Sequence, residues 1–517
     1  MANWTAGTLP TPGPLATIFG EDEMQKRNQK LLLAGALGLA GGVAAATWVA
    51  RSARTQKGAS GAGLPTASVL DTLALAVDVL APTFAKGVIV RRPKVVALAE
   101  KLELDRRAIG RMQKLRNKYG SGPLMLPLPI RKQAVVLAPE HVRRILDEAP
   151  QPFSPASSEK RAALSHFEPD AALISQGPER ADRRRFNEEV LEHTCPVHPM
   201  AASFMPLVEE EANSILAAAR AAGELDWDTF NAHWTRLGRR VFFGEVAADD
   251  QELSDMIIRL RKAANWAFLH PKQTGLRARF LARIQSYLDR AELGSLAAKA
   301  AGVATSADTK PNHQVPQWLF AFDAAGMATF RALALLAAHP DQAAQARAEL
   351  HSKPGTGRAY LPLLRATILE SLRLWPTTPA ILRQSTHATE WDGGTMPAGT
   401  GVLLFTPFFH RDDTRMACAD RFTPELWLKD DKVRDAQDRD WPLIPFSSGP
   451  AMCPARHLVL MLTSLMLGTL IDGDVNGATL RLVEQGRLNP ARLPGTLDNY
   501  SLRFTFAPET SGTGIGR

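Results

Sequence analysis

Apolar residues recur at three- and four-residue spacing along most of the chain. That spacing predicts helices over Lys94–Lys118, Pro139–Glu148, Pro178–Leu191, Met205–Ala222, Trp227–Phe243, Asp250–Phe268, Gly275–Ala301, Val315–His339, Leu361–Trp375 and Leu458–Leu470. Val315–His339 is apolar nearly all round and is expected to run through the core. Shorter alternating runs predict strands. Leu124–Leu137 suggests a hairpin, and Ala380–Arg383, Thr395–Met396 and Val402–Phe405 flank a turn at Pro397-Ala-Gly399. Thr479–Val483, Leu488 and Ser501–Phe506 suggest a small terminal sheet.

The two ends behave differently. Residues 1–30 form a polar tail, and Leu31–Ala50 then carries no charge over a length that can span a bilayer. A membrane-anchor helix and a buried Ala/Gly-rich helix both fit that stretch. Lys26, Arg27 and Lys30 precede it and Arg51, Arg54 and Lys57 follow it, so flanking charge does not orient it. Residues 51–66 have the composition of a flexible linker. A globular region of residues 67–507 follows, and residues 508–517 are a Gly/Ser/Thr-rich tail.

Composition narrows the class. The chain has 517 residues, 45% of them hydrophobic, enough for a large core. Sixty-one basic residues against 53 acidic ones is a mild excess, and no basic block is interleaved with aromatics, which argues against a nucleic-acid partner. Three cysteines are too few for a disulfide framework and fit a reducing, cytoplasmic setting.

Chemistry concentrates at four places. Cys453 lies in the loop Pro445–Arg456, just before an apolar helix. A helix N-terminus favours an anion, and a thiolate there is a metal ligand of lowered pKa. Gly449 would let the backbone pass a flat ligand, and Phe446 could pack on its face. A buried structural cysteine fits that loop equally well. Asp323, Ala324, Ala325, Gly326 and Thr329 interrupt the apolar core helix. A glycine there signals a close approach, by a ligand or by another helix, and the threonine can bond back to a carbonyl. Glu370 and Arg373 share a helix face and predict a buried ion pair in need of further partners. Arg180, Arg183, Arg184 and Arg185 form either a solvated basic face or a cluster with one member turned toward an anionic group. His193, Cys195 and His198 are too short and isolated a group for a closed metal site.

Taken in order, Ala325-Gly326-Met-Ala-Thr329, Glu370-Ser-Leu-Arg373, Pro397-Ala-Gly399, His410-Arg-Asp412, Phe422-Thr-Pro424-Glu425-Leu-Trp427 and Phe446-Ser-Ser-Gly449-Pro-Ala-Met-Cys453 resemble the cytochrome P-450 family. The resemblance covers roughly residues 67–507 and is closest in general impression to bacterial, chiefly actinobacterial, members. It implies a mainly α fold with a small β-rich lobe. It also implies haem b between the central helix and the cysteine loop, with Cys453 as axial thiolate, whose electron donation favours O–O cleavage. Phe446 and Gly449 would then adjoin the cofactor, and Ala325, Gly326 and Thr329 the oxygen-activating groove. Glu370 and Arg373 would be the structural pair, tied to the Pro424–Glu425 region. Arg184 and Arg383 would neutralise the propionates, assisted by Arg180, which stands where many relatives carry histidine.

The implied activity is that of a monooxygenase. Its electrons would come from a ferredoxin or other redox partner with its reductase, and its substrate would be a small hydrophobic organic molecule. Arg456 and Arg183–Arg185 are expected to present a basic surface to an acidic partner, and the substrate pocket is expected around Trp318–Asp323, Thr377–Leu382 and Leu493–Tyr500. Four positions depart from the family pattern: Ala451 removes a usual propionate partner, Ala455 replaces a glycine, Leu426 replaces an arginine, and Ala328 replaces the acid that precedes the threonine. The last change weakens proton supply. It leaves open a peroxide-driven or non-oxygenating haem-thiolate enzyme, and beyond that a non-catalytic haem-binding protein.

Overall fold

Pro93–Lys101 (α1) and Leu104–Tyr119 (α2) divide what the periodicity predicts as one helix. Between them Glu103 adopts φ 51°, and its carboxylate accepts the N–H of Gly495 at 3.0 Å. A tertiary contact, invisible to local periodicity, therefore turns the corner. The structure is a computed structural model in which residues 63–128, 131–430, 432–434, 441–472 and 478–508 are described. Leu31–Ala50, the linker to residue 62 and the C-terminal tail from 509 lie outside the described residues.

Beyond α2 the chain forms strands Leu124–Leu126 (β1) and Gln133–Val135 (β2), helix Pro139–Asp147 (α3) and strand Phe153–Ser154 (β3). Helices Ser158–Leu164 (α4), Gly177–Val190 (α5) and Ala201–Ala222 (α6) follow, then strand Leu225–Asp226 (β4) and helices Trp227–Phe243 (α7), Gln251–Ala264 (α8) and Thr274–Arg290 (α9). The helix expected to run to Phe268 stops at Ala264, and the one expected to run to Ala301 breaks where Ala291 (φ 46°) and Gly294 (φ 83°) turn the chain. The central helix Val315–Ala338 (α10), helix Pro362–Leu374 (α11), strands Ala380–Ser385 (β5) and Gly401–Phe405 (β6), helix Arg456–Asp472 (α12) and strands Ala478–Leu482 (β7) and Arg503–Pro508 (β8) complete the frame. Leu488 is buried but lies outside the strands.

One five-stranded sheet runs β1-β2-β6-β5-β3, with only β2 and β6 parallel. A three-stranded sheet runs β7-β8-β4. The helices carry the larger core. There α10 packs on α7, α11 and α12, and α12 also packs on α6. The uniform apolarity of α10 and α12 follows from this burial on several sides. Among the described residues, α10 and the turn before it form a helix long and apolar enough to cross a membrane, and its place in the core accounts for that composition.

Candidate active site

The loop that carries Cys453 is held by its own backbone. The Cys453 N–H donates to the Phe446 carbonyl at 3.0 Å, and the Met452 N–H donates to Gly449 at 2.9 Å. Ser447 (φ 63°) and Gly449 (φ 65°) occupy the left-handed region. A Cβ at Gly449 would stand 2.2 Å from the Leu146 carbonyl oxygen, so the loop crosses the end of α3 at a distance only glycine permits. The close neighbour that requires this glycine is protein backbone. Phe446 and Cys453 are half-buried against the main core. Burial raises the Cys453 thiol pKa, while the Ala455 N–H, Arg184 and Arg456 pull the other way. The helix-end effect expected to lower it is thus outweighed by desolvation.

The four arginines of α5 divide. Arg183 is buried and donates to the Asp308 carbonyl and the Ser175 hydroxyl. Arg184 donates to Glu188 at 2.6 Å and to the Met452 carbonyl at 2.7 Å, so it braces the residue before the cysteine. Arg185 pairs with Asp182 and Glu189. Arg180 is only 8% exposed and its Nε has no partner. Arg383, on β5, is only 2% exposed; its Nε also lacks a partner, and its longest reach is a 3.3 Å contact to the Ser447 hydroxyl. Lys160, on α4, joins them: burial and the Arg383 charge push its ammonium well below the usual lysine range. No motif marks Lys160 in the sequence, and only the fold brings it to Arg383. Arg456 is buried on α12 rather than displayed on a surface. With Arg183 buried as well, the basic face expected for a redox partner reduces to the half-exposed Arg185.

Glu370 and Arg373 are completely buried and form a bidentate pair, at 2.6 and 2.7 Å. The further partners that such a pair needs are present. Glu370 accepts the Thr423 N–H and the Trp427 indole N–H, both at 2.8 Å. Arg373 donates to the carbonyls of His410, Ala419 and Arg421. Trp427 thus supplies a donor to a cluster in which Leu426 cannot. His410 extends the cluster to the cysteine loop, because its Nε2 accepts the Ile444 N–H at 3.0 Å just before Pro445. Burial and the neighbouring Arg373 charge push the His410 pKa down to about 3, so the ring is neutral and that nitrogen can accept.

On α10, Ala325, Gly326, Ala328 and Thr329 are buried. The Thr329 hydroxyl donates back to the Ala325 carbonyl at 2.9 Å. What comes close to Gly326 is the Trp234 indole of α7, 2.6 Å from where a Cβ would be. Asp323 is paired with Arg261 of α8. Ala321, Ala324 and Met327, on the adjoining face, are half-buried.

Haem suits these residues on two counts. Arg180 and Arg383 are buried guanidiniums with unpartnered nitrogens beside the Cys453 loop, a setting that calls for an anionic group. Cys453 supplies a sulfur ligand held by backbone on a preformed turn. Among the described residues no cluster of three or more His, Cys, Asp or Glu side chains offers an alternative metal site.

Comparison with known proteins points the same way. Residues 308–472, which hold the α10 motif, the Glu370–Arg373 pair and Cys453, match the family model described as Cytochrome P450. Sugiol synthase of Salvia miltiorrhiza is 35% identical over 144 residues, 26% of this chain and 29% of that protein. Drimenol monooxygenase of Persicaria hydropiper is 32% identical over 149 residues, 27% of this chain and 29% of that protein. The chain thus spans under a third of these relatives' length. In three dimensions it is similar to retinoic acid-bound cyanobacterial CYP120A1, with a TM-score of 0.61 and 18% identity over 76% of this chain and 93% of that one. That likeness shows the fold, mainly α with small sheets.

Proposed function

The chain belongs to the cytochrome P450 family, and on that premise we propose that it is a haem-thiolate monooxygenase acting on an organic substrate. The observation that carries this reading is the Cys453 loop, tied through His410 to the Glu370–Arg373 pair and bordered by two unpartnered buried guanidiniums. Haem b bound there would supply one-electron redox chemistry and the activation of dioxygen. Cys453 would supply the thiolate, and Arg383 and Arg180, with Lys160 beside Arg383, would face the propionates, while Arg184 holds the loop at Met452. Thr329 holds a proton at its hydroxyl on the Ala325 carbonyl, in the groove where the substrate is positioned. Electrons come from a separate ferredoxin or other redox partner with its reductase.

The test is turnover with a competent redox pair and a substrate panel under isotopically labelled dioxygen. Coupled NAD(P)H consumption with one labelled oxygen atom in the product is expected. Uncoupled or absent consumption across the panel contradicts the reading. One observation favours a second, peroxide-driven reading: Ala328 offers no acid, and Asp323 is engaged by Arg261. Turnover with hydrogen peroxide alone, without the redox pair, distinguishes it.

A membrane-facing location is supported by an exposed apolar patch. Phe268 and Leu269 are 75% and 83% exposed, and the neighbouring Trp266 lies under Arg92. Asn265 ties this turn to the backbone of Ile89 and Val90. Flotation with lipid vesicles tests it: the chain should co-float, and substituting Phe268 and Leu269 by serine should reduce that.

A further inference from the structure

Arg331 follows Thr329 by two residues on α10 and is only 7% exposed. Its Nε has no partner, and its guanidinium makes one long contact, 3.3 Å, to the Trp375 carbonyl. Beside it Arg91 donates to the carbonyls of Gly87 and Thr377, at 2.8 and 2.7 Å. The Tyr500 hydroxyl has as partner the Met327 sulfur, 3.9 Å away, a weak acceptor. Trp375 and Thr377 are two residues apart, and Met327 lies one turn before Arg331, so these three donors are gathered in one neighbourhood, with no carboxylate among the described residues bonded to Arg331 or Arg91.

The acids nearby are engaged elsewhere. Asp105 serves Lys86 and Thr496. Glu100 serves Arg487 and the Asp498 N–H. Asp323 serves Arg261, and Asp498 accepts from the Tyr500 N–H and the Ser501 hydroxyl; the Asp498 and Glu100 charges reach Arg331 only from a distance, without an ion pair. Burial and the Arg91 charge push the Arg331 pKa down to about 10, yet it remains a cation at neutral pH. A buried cation left unpaired is costly, and a buried donor without an acceptor costs further. Thr377 and Tyr500 belong to the stretches expected to line the substrate pocket, and Met327 lies on α10 two residues before Thr329.

We propose that the substrate carries a carboxylate, which pairs with Arg331 and is shared with Arg91 and the Tyr500 hydroxyl, while its apolar remainder extends along Met327 and Ala324. This refines the monooxygenase reading and rests on it for the word substrate. It narrows the expected small hydrophobic molecule to one with an acidic end: an uncharged ligand would leave the guanidinium without a counter-charge.

The experiment uses the full, haem-loaded chain and matched pairs of ligands: straight-chain alkanoates of eight to sixteen carbons and arylalkanoates, each against the alcohol of equal length. Affinity is read by calorimetry, which needs no haem signal. At least one acid is expected to bind about tenfold or more tighter than its alcohol, as a charge-assisted hydrogen bond in a buried site requires. Arg331→Gln should abolish that preference while leaving alcohol binding in place, and Arg331→Lys should restore part of it. If Arg331→Gln does not fold, Arg91→Gln should shrink the acid-to-alcohol ratio. Absence of acid preference in every pair overturns the proposal, as does a preference that survives Arg331→Gln. Acid binding in a protein that lacks the spectrum of thiolate-ligated haem would keep the carboxylate site and sink the monooxygenase reading instead.

Discussion

The indole N–H of Trp234 donates to the Phe322 carbonyl at 2.8 Å, and the same ring stacks on the Phe322 side chain with centroids 4.3 Å apart. The contact is reciprocal. Trp234 fills the space over Gly326, and Phe322 fills the space over Gly238, where an added Cβ would stand 2.7 Å away. Two glycines, one on each helix, thus lock α7 against α10.

Gly326→Ala must therefore displace a ring that stacks with both Phe230 and Phe322. Overpacking of this kind costs about 1–3 kcal/mol. Chemical denaturation should show that loss, and Trp234→Phe in the same chain should recover part of it. An unchanged midpoint for Gly326→Ala would mean that the seam is loose.

Removing the Trp427 donor leaves a buried carboxylate one hydrogen bond short. Trp427→Phe should lower stability by roughly 1.5–3 kcal/mol, the range for hydrogen bonds to charged groups. Arg373→Ala should cost more, about 3–5 kcal/mol, because it strands Glu370 in the core. Urea titration of both variants checks the order, and equal losses would contradict it.

His410 makes acid stability a readout of the same network. Its folded pKa, about 3, lies below the usual histidine value of 6.5. The unfolded chain thus takes up a proton first as pH falls. The stability it contributes is complete above pH 6.5 and is lost progressively down to about pH 3. Denaturation measured from pH 7 to pH 4 should show a steeper decline than in His410→Gln, whose side chain does not titrate. Parallel profiles would remove His410 as the link.

Arg180 and Arg383 are assigned to the propionates. The double variant Arg180→Gln, Arg383→Gln should release haem to a scavenging apoprotein about tenfold faster or more, with Cys453 untouched. An unchanged release rate would move the anion partner elsewhere.

The sequence made some of this legible and hid the rest, for physical reasons. Glu370 and Arg373 are detectable because an ion pair inside an apolar helical pattern is costly and therefore purposeful. The core path of Val315–Ala338 is visible because burial on all sides makes a helix apolar all round. Trp427 and His410 lie in recognisable motifs and Trp234 in an expected helix, but their bonds to Glu370, Ile444 and Phe322 span tens of residues and have no local signature. Lys160 looks like an ordinary surface cation until the fold brings it beside Arg383, and Arg331, within the apolar core helix, meets Arg91 only in the fold. Arg456 and Arg183 show the reverse: charge points to exposure, and tertiary packing buries both.

The central claim, that Cys453 ligates haem through sulfur, is tested most directly by the absorption spectrum of the reduced protein under carbon monoxide. The native chain should give the long-wavelength Soret band of thiolate-ligated haem, and Cys453→Ala should lose it while the Glu370–Arg373 network keeps the chain folded. A Cys453→Ala protein that retains that band would contradict the account.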